Sequence, residues 1–94
     1  MIYSEQVRKD AKAAADYIRE HGWCQFVVED KNGCVCALGA TGALGLRWER
    51  ELELDNALRN QIQSVAVGVW NDTPGRTKEE VLEVFDRIAN SDKP

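Results

Sequence analysis

The sequence predicts an α+β fold in which one β-hairpin packs against three or four helices, within one small domain spanning residues 1–94. Three observations favour this class. Apolar residues recur at helical spacing near both ends of the chain. A segment rich in β-forming residues surrounds an Asn-Gly pair. The length of 94 residues suits a single hydrophobic core.

The first helix is predicted to begin after Ser4 and to end before Gly22. Serine is a residue type that caps helix N-termini, because its hydroxyl accepts a hydrogen bond from an early backbone N–H. Glycine is common just beyond the last helical turn. The predicted buried face follows helical spacing and consists of Val7, Ala11, Ala14, Ala15 and Ile18.

The segment "CQFVVEDKNGCVCALGA" predicts the hairpin. Strands are expected at residues 24–29 and 34–37, with a turn at residues 30–33. The turn contains Asn32-Gly33, a pair that tolerates the positive φ angles of tight hairpin turns. Because a two-stranded hairpin is marginally stable alone in water, we expect a helix to cover one of its faces.

The middle of the chain is interpreted as helical in two places. "LGATGALGL" predicts a short helix that packs closely through its glycines, although each Gly lowers helix propensity by about 1 kcal/mol relative to Ala. The charged "RWERELELD" is expected to end this helix and lead into a polar link. Further on, the spacing of Leu58, Ile62, Val65 and Val69 favours a helix, whereas the alternating valines leave a strand open for residues 64–70.

The last helix is predicted from a T-x-x-E capping box formed by Thr77 and Glu80, which satisfies two backbone N–H groups reciprocally. Its predicted buried face consists of Val81, Leu82, Phe85, Ile88 and Ala89. Residues 89–94 are expected to form a frayed tail, because chain ends without apolar anchors are usually poorly ordered.

Composition and charge exclude several functional classes. The net charge is −4 and the 12 basic residues are scattered, so a phosphate-binding surface for nucleic acid is not expected. The sequence has no uninterrupted apolar run of the kind found in membrane spans and secretion signals, so neither is expected. The chain has three cysteines, an odd number, and no such signal. This combination favours a location in the reducing cytoplasm, where disulfides are rare.

A metal site is one interpretation of the cysteine-rich segment. His21, Cys24, Cys34 and Cys36 are four potential zinc ligands that a hairpin would bring together. Against this, the two sulfurs of a C-x-C pair on one strand face lie about 6–7 Å apart, too far to share one ion without a bulge. The alternative is that the cysteines pack as small apolar side chains.

A thiol active site is a second interpretation. Cys24 as nucleophile, His21 as base and Asp72 or Asn71 as the orienting group have the residue types of a Cys-His-Asp/Asn site. Such a site needs a lowered thiol pKa and a cleft, and 94 residues leave little room to shape one.

Tryptophans suggest binding surfaces. Arg47, Trp48 and Arg50 combine the residue types enriched at protein interfaces in a strongly charged stretch. The alternative is a single half-exposed Trp among charged neighbours. Trp70, in "WND", is interpreted either as a recognition anchor or as a core residue followed by an Asn-Asp turn.

Three segments together resemble a family of small proteins of unknown function encoded by actinobacteria and their bacteriophages. They are "AADYIREHGWCQ", "VCALGA" and "WNDTPGRTKEEVL", in this order. The resemblance implies no activity, and Cys34 lies outside its motifs. The matching positions are Gly22, Trp23, Cys24, Gln25, Cys36, Ala37, Leu38, Gly39, Ala40, Trp70, Asn71, Asp72 and Thr77.

The function expected from these observations is that of a non-enzymatic, phage-type accessory protein that binds a host protein in the bacterial cytoplasm. The contact surface is expected around Arg47, Trp48 and Arg50. No cofactor, nucleic acid or membrane insertion is expected. The thiol enzyme and a zinc-stapled interaction module remain the alternatives, and Trp48 with the Gly/Ala-rich segment is also compatible with a symmetric homodimer.

Overall fold

Five α-helices form the regular secondary structure of residues 3–92, the part of the chain that the computed structural model describes. Their bounds are α1 Glu5–His21, α2 Ala37–Ala43, α3 Trp48–Ile62, α4 Val67–Asn71 and α5 Lys78–Ala89. The helices α1, α3 and α5 pack on one another, and α2 and α4 lie against each other and against this group.

The capping residues of the first and last helices are those predicted from the sequence. Ser4 Oγ accepts a hydrogen bond of 3.2 Å from the Val7 amide, and the chain leaves α1 at Gly22, whose φ is 98°. At α5 the Thr77 hydroxyl and the Glu80 carboxylate form the predicted reciprocal capping box. Both signals are local in the chain, so no distant contact is needed to place these helix starts.

The hydrophobic core lies between α1, α3 and α5. Three alanines and Ile18 on the inner face of α1 are fully buried, and small side chains let the partner helices approach closely. The largest fully buried apolar side chains are Phe85, Ile18, Leu54, Leu58 and Ile88. The predicted buried face of α5 is confirmed at Val81, Phe85 and Ile88, whereas Leu82 and Ala89 are half-buried and Val84 is buried instead.

The predicted α+β class is wrong, because the chain is all-helical and the hairpin does not form a sheet. Within the described residues, β-pairing is limited to isolated bridges from Val35 to Trp23 and to Glu29. The turn at residues 30–33 is present, with a 3.0 Å hydrogen bond from the Gly33 amide to the Asp30 carbonyl. However, Phe26 has a φ of 73°, which interrupts the extended backbone that a strand requires.

The middle of the chain also differs from the sequence interpretation. The charged segment predicted to end the preceding helix and lead into a polar link instead forms the first part of α3, which begins at Trp48. Leu58 and Ile62 belong to α3, which ends before Gln63 in the left-handed conformation. The separate helix α4 follows, so the helical choice for residues 64–70 is correct from Val67 onward.

The predicted tail at residues 89–94 is described only in part, since residues 93 and 94 lie outside the described residues. Ser91 Oγ accepts a 3.2 Å hydrogen bond from the Tyr3 amide, and Asp92 lies 3.8 Å from Arg8 Nε. Along residues 3–92, none of the helices combines the length and the apolarity that crossing a lipid bilayer requires.

Candidate functional site

Asn71, at the end of α4, is the centre of a buried hydrogen-bond network. Its side chain is 0% exposed. Oδ1 accepts hydrogen bonds from Trp23 Nε1 at 2.7 Å and from the Ala37 amide at 3.0 Å. Nδ2 donates to the Cys24 carbonyl at 3.2 Å and to Asp72 Oδ1 at 2.9 Å. A carboxamide offers two donors and an acceptor oxygen with two lone pairs, so Asn71 uses its full capacity.

Asp72 and Gln25 extend this network toward the surface. Asp72 Oδ1 also accepts a 2.8 Å hydrogen bond from the Phe26 amide. Gln25 Nε2 donates to the carbonyls of Asn71 at 3.0 Å and of Thr73 at 3.1 Å. The loop that follows α1 is therefore fixed to the C-terminal end of α4 by side chains on both segments. We call Trp23, Cys24, Ala37, Asn71 and Asp72 the Asn71 junction.

The junction holds an exposed apolar loop. Phe26 is 74% exposed, and Val27 and Val28 beside it are also exposed. The φ of 73° at Phe26 is unfavourable for a bulky side chain and persists only where surrounding contacts impose it. The hydrogen bond from its amide to Asp72 is such a contact. A hydrogen bond and an unfavourable backbone conformation therefore accompany apolar side chains that remain exposed to water.

Helix α2 adjoins this loop, and α4 in turn adjoins α2. The Val28 backbone crosses Gly39 of α2 so closely that a Cβ there would overlap the Val28 carbonyl. Leu38 Cδ1 in turn lies 3.6 Å from the position that a Cβ on Gly68 of α4 would take. Leu38, next to Gly39, is exposed. We call Phe26, Val27 and Val28, together with Leu38 of the adjoining helix, the apolar surface.

The three cysteines have different surroundings. Cys36 is buried at the N-cap of α2, where its Sγ accepts a 3.3 Å hydrogen bond from the Gly39 amide. Cys24 and Cys34 are half-buried, and one carboxylate oxygen of Asp30 and their two Sγ atoms all lie within 4.8 Å of one another. The Asp30 carboxylate, with a further contribution from Cys24, raises the pKa of the Cys34 thiol to about 12. Cys34 is therefore protonated at neutral pH.

The predicted catalytic residues take part in separate contacts. His21 is exposed at the end of α1, and its ring stacks on Tyr17 with centroids 4.1 Å apart. Asp72 is bonded to Asn71 and Phe26 as part of the junction. In residues 3–92 the structure shows no hydrogen bond from His21 to Cys24 or Asp72. The predicted zinc set is likewise divided, since Cys36 caps α2 while Cys24 and Cys34 group with Asp30.

The predicted contact residues occupy the start of α3. Trp48 is 72% exposed, and Leu52, one turn later, is also exposed. The Arg47 side chain is exposed and lies 3.7 Å from Glu49. Arg50 instead donates two hydrogen bonds, of 3.2 and 2.7 Å, to the buried Asp10 of α1. Arg50 therefore joins two helices, while Arg47 and Trp48 face solvent.

Trp70 is half-buried and stacks under Arg76, whose guanidinium carbon lies 4.2 Å from the ring centroid. Arg76 Nε also donates to the Trp70 carbonyl at 3.0 Å. Trp70 therefore packs within the fold, and its neighbour Asn71 reaches residues 34 to 48 positions away rather than the local backbone.

Sequence reasoning missed Asp30 and Gln25 as site residues. Asp30 carries a recognisable signal, because Asp at the start of a D-K-N-G turn commonly accepts backbone hydrogen bonds and is held in a fixed orientation. Gln25 matches a family motif, but nothing in the local sequence indicates its partners, which lie 46 and 48 residues away.

The fold and site define a small helical domain in which one long loop is fixed by a buried asparagine. Residues 3–91 match a family of unknown function (DUF6197), and the chain belongs to that family. Neither a curated protein nor a solved structure matches the chain. The three motifs that carry the sequence resemblance contribute Trp23, Ala37 and Asn71, which meet at the junction.

Proposed function

We propose that this chain acts without catalysis, by binding another protein through the apolar surface. The observation that carries the proposal is the display of Phe26, Val27 and Val28 in solvent on a loop that the buried Asn71 holds in place. Contiguous exposed apolar side chains on a folded domain commonly mark protein contacts. Aromatic residues are also enriched among those that contribute most to binding.

The hydrogen bonds that attach the loop to Asn71 and Asp72 support binding over a purely structural role. A loop fixed before contact loses less conformational entropy on association, which improves affinity. A loop needed only to connect α1 and α2 has no reason to place three large apolar side chains in water. Here the strained Phe26 backbone is retained together with the exposed ring.

The charges around the surface favour a partner with an apolar centre and a basic rim. Glu29 follows the apolar loop and is exposed, and Asp72 lies beneath it. The chain as a whole carries a net charge of −4. Complementary charge around an interface accelerates association and selects among partners.

The motif resemblance to phage-encoded proteins supports a bacterial host protein, acting in the cytoplasm, as the partner class to test first. Three free cysteines are consistent with such a reducing compartment. Trp48 and Leu52, with Arg47 beside them, form a second exposed region at the start of α3. The experiment must therefore distinguish the two surfaces.

The test places a photo-crosslinking amino acid separately at positions 26, 48 and 12 in cells where the protein has a phenotype. Lys12 on the exposed side of α1 serves as the control position. We expect position 26 to trap one protein that excess unlabelled chain displaces. Equal trapping from position 12, or trapping only from position 48, would reject the apolar surface. Trapping of a second copy of the chain would replace the proposal with self-association.

A matched variant separates binding from folding. Asn adopts the left-handed region more readily than Phe, so Phe26→Asn removes the ring and relieves backbone strain. We expect this variant to unfold at the same or higher denaturant concentration than the wild type and, added as the unlabelled chain, to compete poorly against trapping from position 26. Unlabelled Trp48→Ser is expected to compete like the wild type. Competition by Phe26→Asn equal to that of the wild type contradicts the proposal.

A further inference from the structure

A compact group of metal-ligating atoms lies beside the apolar loop. The Sγ atoms of Cys24 and Cys34 and a carboxylate oxygen of Asp30 all lie within 4.8 Å of one another. All three residues are half-buried, so the ligand atoms are partly shielded from bulk water but an ion can still reach them. Both cysteines are free thiols.

We propose that Cys24, Asp30 and Cys34 bind one Zn²⁺ ion, with a water molecule in the fourth position. Zinc in proteins takes four tetrahedral ligands, with Zn–S distances of about 2.3 Å and Zn–O distances of about 2.0–2.2 Å. Two sulfurs on such an ion are about 3.8 Å apart, which follows from this distance and the tetrahedral angle. The three ligand atoms therefore need to move together by about 1 Å or less.

Backbone hydrogen bonds between the segments that contain Cys24 and Cys34 hold these two ligands beside each other. The Cys24 amide donates to the Val35 carbonyl at 3.0 Å, and the Val35 amide donates to the Gly22 carbonyl at 3.0 Å. This pairing places the strand-like segment of Cys24 beside that of Cys34. A site whose ligands are positioned before metal binding loses little conformational entropy when the ion arrives.

The Asp30 carboxylate is oriented by its own turn. Its Oδ1 accepts hydrogen bonds from the Asn32 amide at 2.8 Å and from the Cys34 amide at 3.2 Å. A carboxylate has two oxygens and about four lone pairs, so Asp30 retains acceptor capacity for an ion. Hydrogen bonds from neighbouring groups to a ligating carboxylate fix its direction, as in known metal sites.

This ligand set differs from the four residues that the sequence indicates. Cys36 is turned away to cap α2, and His21 stacks on Tyr17 at the end of α1. Zinc at the proposed site would join the start of the apolar loop to the turn that follows it. This proposal is independent of protein binding, because it concerns only ligands within this chain.

The test titrates the full, reduced chain anaerobically with Zn²⁺, and with Co²⁺ as a spectroscopic probe. We expect one bound ion per chain, thiolate-to-cobalt charge-transfer absorption and a rise in melting temperature with zinc concentration. Cys24→Ser and Cys34→Ser are each expected to weaken binding by about 100-fold or more, because even changes outside the ligand set cost 10–100-fold. No stoichiometric ion, or cobalt bound without thiolate absorption, overturns the proposal.

Cys36→Ser is the matched control. It removes one of the three thiols, yet serine is also a good N-cap, so α2 keeps its start. We expect this variant to bind zinc like the wild type. Asp30→Asn is expected to weaken binding by about 10-fold or more while keeping the turn, whereas His21→Asn is expected to have no effect. Loss of zinc in Cys36→Ser or His21→Asn, with Asp30→Asn unaffected, rejects the proposed ligand set.

Discussion

The Trp23 indole donates a 2.7 Å hydrogen bond to Asn71, a residue 48 positions further along the chain. The same carboxamide oxygen accepts the Ala37 amide at the start of α2. One side chain thus connects the start of the loop after α1, the beginning of α2 and the end of α4. The shape of the loop depends on this connection.

Asn71→Ala is expected to lower the free energy of unfolding by about 3 kcal/mol, because it leaves the Trp23 and Ala37 donors without their acceptor. Urea unfolding followed by circular dichroism measures the change. Asn32→Ala, at an exposed turn position, is the control and is expected to cost less than about 1 kcal/mol. A loss of similar size in both variants would show that Asn71 has no special role.

Gly39→Ala and Gly42→Ala are expected to have opposite effects, although both replace a glycine of α2. A Cβ at Gly39 meets the Val28 carbonyl and lies 3.0 Å from Val35 Cβ, so we expect a loss of about 2 kcal/mol or more. A Cβ at Gly42 meets no atom of residues 3–92 within 4 Å, and Ala there is expected to add about 0.5–1 kcal/mol. Thermal unfolding of both variants tests this contrast. Equal shifts would mean that the loop does not cross Gly39 as described.

Arg50→Ala is expected to destabilise the fold by about 1–3 kcal/mol, because it removes the cationic partner of the buried Asp10 carboxylate and leaves only the 3.1 Å hydrogen bond from Gln6 Nε2 among the described side-chain contacts. The partial exposure of Arg50 keeps this below the cost at a fully buried pair. Chemical unfolding of Arg50→Ala, Arg47→Ala and the double variant Arg50→Ala/Asp10→Asn measures the effect. We expect Arg47→Ala to be nearly neutral and the double variant to recover part of the loss. A double variant less stable than Arg50→Ala contradicts the assignment.

Glu80 is expected to contribute stability that is lost in acid. The Thr77 N–H, with help from the Thr77 hydroxyl and Arg76, lowers the pKa of Glu80 below its ordinary value of 4.5. Its contribution is therefore fully present above about pH 4.5 and lost as the pH falls through the lower pKa of the folded state. Glu80→Gln should lose less stability than the wild type between about pH 6 and about pH 3. Thr77→Ser, which keeps the hydroxyl, should show the wild-type dependence of the free energy of unfolding on pH. Chemical unfolding at several pH values measures this dependence, and the same dependence in all three proteins would contradict the prediction.

Cys34 is expected to react slowly with iodoacetamide near pH 8. The Asp30 carboxylate raises the pKa of this thiol to about 12, and only the thiolate reacts. Asp30→Asn removes the carboxylate charge and should accelerate alkylation of Cys34 by at least about tenfold, since one pKa unit changes the thiolate fraction about tenfold. Peptide-level mass spectrometry separates Cys34 from the other two cysteines. An unchanged rate in Asp30→Asn would show that the carboxylate does not control the thiol.

The helix boundaries at the two ends of the chain follow from the sequence because their causes are local. Ser4 lies three residues from the amide it caps, and Thr77 lies three residues from Glu80. The start of α3 is harder to read, since only Leu54, Ala57 and Leu58 of its fifteen residues are buried. Because its apolar face is narrow and Trp48 and Leu52 are exposed, the sequence of this segment looks like that of a polar link unless its partner helices are known.

The hairpin prediction failed because an Asn-Gly pair specifies a turn and not the path on either side of it. The left-handed backbone at Phe26 is stabilised by Asp72, which lies 46 residues away. The grouping of Cys24 and Cys34 with Asp30 likewise depends on the pairing around Val35. Contacts of this range have no signature in the composition or periodicity of a short segment.

The distance along the chain between the loop and Asn71 has a consequence for synthesis on the ribosome. The segment between α1 and α2 emerges well before the residue that completes its hydrogen bonds. Until α4 has left the exit tunnel, the backbone around Trp23 must sample many conformations, with its aromatic and valine side chains open to chaperones. Elongation of the chain thus sets the earliest moment at which this loop acquires its final shape.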